Sequence, residues 1–95
     1  MKKTLVSESV EFDKLIKKLT ALTENNDHGA AYVTIAKYFN LHEYAKIFEA
    51  INTIHVIEGY LPRPVSEYRY SCYEQLMFII KEEHTQKYNR IYSAL

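Results

Sequence analysis

The sequence contains one cysteine, two glycines, two prolines and no tryptophan, and its charges cancel. Each scarcity excludes something. The lone Cys72 cannot close an intrachain disulfide, so the staples on which small secreted domains depend are missing and a cytoplasmic location is expected. Glycines only at 29 and 59 leave no Gly-rich phosphate loop. Two glycines and two prolines are also too few for an all-β domain, which needs a turn signal every ~8–12 residues. The longest strongly apolar run, "LMFII" at 76–80, is far short of the ~20 residues of a spanning helix. At the start, "MKKTLVSESVEF" is interrupted by Ser7 and Glu8 before any signal-peptide core forms, so neither membrane nor export is expected. Twelve basic residues against twelve acidic ones give no overall field toward nucleic acid or an anionic surface.

What remains is a chain of 95 residues, 47% hydrophobic and 25% charged, too apolar for disorder and short enough for one domain over 1–95 with one core. Its apolar residues recur at helical spacing. From Ser9, a fitting N-cap, Phe12, Leu15, Ile16, Leu19 and Leu22 make one stripe, with Lys14, Lys17 and Lys18 largely opposite. "TENNDHG" at 23–29 should end that helix. A second helix is predicted over about 30–39, despite the strand character of Tyr32, Val33 and Thr34, with Asn40 suited to its C-terminus. A third follows over about 41–60, striped by Tyr44, Ile47, Phe48, Ile51 and Ile54. Ala45, Ala50 and Ile57 widen that stripe, which points to a central position. "GYLPRPVS" at 59–66 forces a break, and Pro64 suits the opening of a fourth helix that runs to about 89 or 94. Its marked face carries Tyr73, Leu76, Met77, Ile80, His84 and Ile91, broadened by Tyr68, Cys72 and Ile79. The expected fold is all-α: a compact, bundle-like four-helix domain with a long C-terminal helix whose end could reach a second subunit.

The stretch "IAKYFNLHEYAKIF" at 35–48 has the outline of a DNA-reading helix-turn-helix, with Ala36 at a close crossing and Leu41 anchoring the turn. Its register is wrong, because the expected apolar anchor falls on Lys46 and Ile47 comes one residue late. The would-be recognition helix also sets Glu43 and Glu49 against a single permanent positive charge, whereas duplex affinity rests on phosphate neutralisation. Lys37, His42, Tyr44 and Lys46 are the candidate contacts of this alternative, a dimeric DNA-binding regulator. Two core helices meeting at a C-cap is the better reading of the stretch.

His55 and Glu58 share a helical face, but a bundle di-iron site needs a Glu-x-x-His motif from each of two helices, and only the reverse order occurs, once. A histidine bonded to its neighbour explains the pair more simply. His42 with Glu43, and Glu82 and Glu83 with His84, are adjacent residues that diverge around a helix and read as surface features; His28 reads as a solvated loop residue or part of a helix end. Cys72 lacks a partner at metal or redox spacing and reads as a small buried hydrophobe. No metal, no cofactor and no catalytic residue are expected; a metal-binding or enzymatic domain centred on His55 and Glu58 is the weakest alternative.

Nine tyrosines are the unusual feature. Tyr68, Tyr70 and Tyr73 in "SEYRYSCYEQL" cover more than one face of a helix and cannot all enter one small core. With Arg63 and Arg69 they form the expected partner-binding surface, since Tyr and Arg are enriched at interface hot spots. Tyrosines rimming the core with wet hydroxyls compete with this reading, and a base-stacking platform is weakened by the few flanking positive charges. The expectation is a small helical protein–protein interaction module, a regulator or accessory factor, docking on itself or on another protein.

Overall fold

The computed structural model describes residues 2–95; the side chains of residues 2–9 and of Glu58 lie outside the described set. It is all-α. Five helices follow one another: α1 (Lys2–Glu24), α2 (His28–Tyr38), α3 (His42–Glu58), α4 (Arg63–Glu83) and α5 (Thr85–Ala94), with no strand among the described residues.

Helix α1 buries Phe12, Leu15 and Leu19, with Ile16 and Leu22 half-buried beside them and Lys14, Lys17 and Lys18 in water. It already runs through Ser9, so the N-cap expected there is corrected: the helix begins earlier. The loop after it serves two helices at once. Asn26 takes a left-handed conformation at φ 58°, and Asp27 caps α2 by accepting a bond from the Ala30 amide at 3.3 Å.

The strand-like Thr34 is held in α2 by its hydroxyl, which donates to the Ala30 carbonyl at 2.8 Å. Small residues let α3 come close: Ala31 and Ala36 are fully buried, and Gly29 faces Asn52 so tightly that a Cβ would collide with it. Asn40 is left-handed at φ 59°, and the Leu41 amide returns to the Ala36 carbonyl at 2.8 Å, closing the α2–α3 turn as expected. Helix α3 contributes Ala45, Phe48 and Ile51 to the interior and stops where Gly59, at φ 75°, takes a conformation that favours glycine. Its distal half departs from expectation. Ala50 and Ile57 do not widen the buried stripe; both are exposed.

Helix α4 opens with proline in its first turn and buries Cys72, Leu76, Met77 and Ile80. The single long C-terminal helix is corrected to two. At His84 (φ −141°, ψ 58°) the chain leaves helical geometry, and α5 packs on both α4 and α1. Turned back, Ile91 is fully buried, Arg90 pairs with Asp13 at 3.0 Å and its guanidinium lies over Phe12. The Thr85 hydroxyl takes the Lys81 carbonyl at 2.8 Å, and the His84 ring rests 4.8 Å from that of Phe39.

Candidate interaction surfaces on the fourth and fifth helices

Because α4 is striped inward by Cys72, Leu76 and Ile80, residues at other helical angles fall on its two flanks. The expected Tyr/Arg surface is divided between them. Tyr68 lies on one flank, a heptad before Gln75, whose Oε1 accepts a bond from the Tyr44 hydroxyl of α3 at 3.4 Å. Tyr70 lies on the other flank with Tyr73, their ring centroids 6.4 Å apart. Arg63, at the helix start, is exposed and bonds Glu67 one turn on at 3.0 Å, whereas Arg69 is half-buried near Tyr32.

Tyr73 is the anchor of its flank. Half-buried, it packs 4.3 Å from Tyr32 of α2, which in turn meets Phe48 at 5.3 Å. Its phenol is pushed up to about 12, first by burial and then by the neighbouring phenols of Tyr32, Tyr88, Tyr92 and Tyr70. Burial also raises Tyr32, although Arg69 pulls against it by favouring the phenolate.

The turn at His84 brings Tyr88 and Tyr92, stacked at 5.9 Å, across from this flank. Between α4 and α5 lies a cleft of about 280 Å³ lined by Tyr73, Met77 and Tyr88, with Tyr70, Phe78 and Tyr92 also on its walls. Those last three are 62, 63 and 64% exposed, so the cleft has open aromatic rims. Lys81 and Glu74 supply one charge of each sign, and the Lys81 ammonium sits 5.9 Å from the Tyr88 ring. Glu74 and Phe78 also border a larger, more open hollow of about 570 Å³ on the side of Tyr44, Gln75 and Ile79, so they form the ridge between two depressions. Phenols, a thioether and one ion of each sign suit an apolar side chain that carries a hydrogen-bonding tip.

Phe78, Tyr88 and Tyr92 were not among the residues that the sequence singles out. Tyr88 and Tyr92 stand one helical turn apart, which marks them as neighbours, but only a bend in the chain sets them opposite Tyr73.

The alternative contacts gather around α2 and α3. Lys37 is paired with Glu49 at 3.6 Å, His42 and Lys46 are exposed, and Tyr44 is half-buried with its hydroxyl turned to Gln75. His55 is exposed, and the Glu58 side chain expected beside it lies outside the described residues. Among the described residues no group of three or more His, Cys, Asp or Glu is placed to hold a metal ion, and no helix is long and apolar enough to cross a membrane.

No family model, curated protein or solved structure matches this chain.

Proposed function

We propose that this chain is a small protein–protein interaction module, a regulatory or accessory factor that docks a partner through its tyrosine-rich fourth and fifth helices. The observation that carries the reading is the α4–α5 cleft: Tyr70, Phe78 and Tyr92 stand open at its rim while Tyr73 and Met77 are anchored in the core beneath them. Aromatic side chains held on a rigid base lose little entropy on binding and bury large areas, which is why hot spots concentrate in them. Arg63 is exposed and paired with Glu67, and Arg69 is half-buried near Tyr32; neither lines the cleft.

The test is affinity capture from the native host with the wild-type chain, Tyr92→Ala and Phe78→Ala side by side. A component whose recovery falls roughly tenfold or more with both variants, at unchanged helicity, supports the cleft as the docking site. Recovery of the same proteins in the same amounts from all three removes it.

A second reading is duplex DNA binding through α3, with which the closed α2–α3 turn at Asn40 is compatible, although two core helices meeting at a C-cap account for that turn as well. The pairing of Lys37 with Glu49 subtracts from its positive charge. This reading calls for duplex binding at low salt that weakens in Lys37→Ala and Lys46→Ala; absence of binding at low salt eliminates it.

A further inference from the structure

From Val65 to Leu95 the chain has no glycine and no proline, yet between α4 and α5 it leaves helical geometry at a single residue, His84. Helical hydrogen bonding reaches that residue from both sides. Its amide donates to the Ile80 carbonyl at 2.7 Å, and its carbonyl accepts from the Tyr88 amide at 2.8 Å. In a continuous helix the amides of Thr85, Gln86 and Lys87 would also donate, to the carbonyls of Lys81, Glu82 and Glu83; the bend gives up those three bonds. The turn is sharp. Tyr70 and Tyr92 line one cleft, whereas along a straight helix they would stand roughly 33 Å apart.

What holds α5 in place comes largely from distant segments of the chain. Ile91 is fully buried, and Ala94 and Leu95 pack against the core. Arg90 pairs with Asp13 of α1 at 3.0 Å and lies 4.9 Å from the Phe12 ring, and the Lys87 ammonium stands 5.6 Å from the rings of both Phe12 and Tyr38. Straightened at His84, the chain would run as one helix over 63–94 and carry these side chains off the body. A lone molecule would lose their contacts. A second copy offers the same seat, because its α1, α2 and α4 bear the same residues.

We infer that this chain exchanges α5 with a second copy of itself: His84 straightens in both, and each α5 packs on the α1 and α4 of the other. The occupant is chosen by the fold, since the surface that receives α5 is seen holding α5, with its buried isoleucine, its ion pair and its cation–π contacts in place. The exchanged dimer keeps these contacts and regains the amide bonds given up at both bends, set against the motional freedom lost on association. Exchange of an identical element across a short hinge is a low-cost route to a dimer. In that dimer the Tyr70 and Tyr73 wall of each α4–α5 cleft comes from one copy and the Tyr88 and Tyr92 wall from the other.

Refolding the untagged full chain from urea at low and high concentration, with the mass of each species then measured by size-exclusion chromatography and light scattering, tests the inference. The wild type is expected at 11.2 kDa when dilute, with a growing fraction at twice that mass when concentrated. Thr85→Pro is expected to stay at 11.2 kDa: proline suits the first residue of α5, following a His84 that already lies outside the α region, but it breaks a helix that runs through 85. His84→Ala is expected to strengthen dimerisation roughly tenfold, because alanine is poor at a helix end and best within a helix, and each dimer contains two hinges. Asp13→Arg and Arg90→Asp distinguish exchange from any other dimer. Each variant alone sets like charges at 13 and 90, whereas exchange between one of each restores two opposite pairs, so the two refolded together should give heterodimer above the random proportion. These charge variants decide the matter if Thr85→Pro does not fold. A wild-type mass of 11.2 kDa at every concentration overturns the inference, as does random pairing of the charge variants, or a folded Thr85→Pro that dimerises like the wild type.

Discussion

Tyr73 of α4 lies with its ring centroid 4.3 Å from that of Tyr32 of α2, the planes inclined at 34°. This pair joins the α4–α5 side of the molecule to the α2–α3 side, and its partner Phe48 carries the contact on into α3. Tyr73 is thus both a core residue and part of the candidate cleft.

Replacing Tyr73 by alanine should destabilise the fold by about 2 kcal/mol, below the ~3–5 kcal/mol of a fully buried aromatic because this ring is half-covered. Tyr73→Phe should cost less than about 1 kcal/mol, because it keeps the ring. Urea denaturation followed by far-ultraviolet circular dichroism measures both. Equal losses in the two variants would mean that the hydroxyl, rather than the ring, is what matters.

The same residue governs behaviour at high pH. Its phenol rises from 10.0 to about 12 on folding, chiefly through burial, so the unfolded chain releases this proton first as pH climbs. The stability it contributes is complete below about pH 10 and drains away between there and about pH 12. In an absorbance titration of tyrosinate, Tyr73→Phe should remove a late-ionising tyrosine. It should also flatten the fall of the denaturation midpoint over that window, and an unaltered midpoint profile would assign the loss to other groups.

Gly29 of α2 faces Asn52 of α3, and a Cβ at position 29 would meet the Asn52 carboxamide. That carboxamide is the far end of a flexible side chain that can swing aside, so Gly29→Ala alone should change stability by less than about 1 kcal/mol. In an Asn52→Ala background the same change should be more favourable, stabilising by up to about 1 kcal/mol, since alanine is the better helix former. A double-mutant cycle reads the difference, and simple additivity would show that the two residues do not confront each other.

Ile91 is fully buried on α5, which packs on both α4 and α1. Ile91→Ala should therefore cost about 3 kcal/mol, as expected for a large core residue. An exposed residue at the end of a straight α4 would be nearly indifferent, and a loss below ~0.5 kcal/mol would argue for that geometry.

Much of this architecture was legible in the residues. The stripe of Phe12, Leu15 and Leu19, the left-handed Asn40, the break within 59–66 and the proline-opened α4 all follow from local rules: helical period, side-chain capping and restricted φ. The break at His84 was not legible. No glycine or proline marks it, and the residues on both sides keep helical spacing, so a bend and a straight helix look alike until the burial of Ile91 is weighed against its exposure.

The candidate site divides in the same way. That Tyr68, Tyr70 and Tyr73 could not share one face was determined by the 100° step of the helix. That Tyr73 is anchored on Tyr32, that Tyr70 looks across to α5, and that Ile57 lies bare although it extends a core stripe were decided by which helices the chain brings alongside. Periodicity tells which side chains stand on one face; it does not tell whether another element will cover that face. Covering is a property of distant segments, set by the balance of apolar area gained against chain entropy lost over the whole fold.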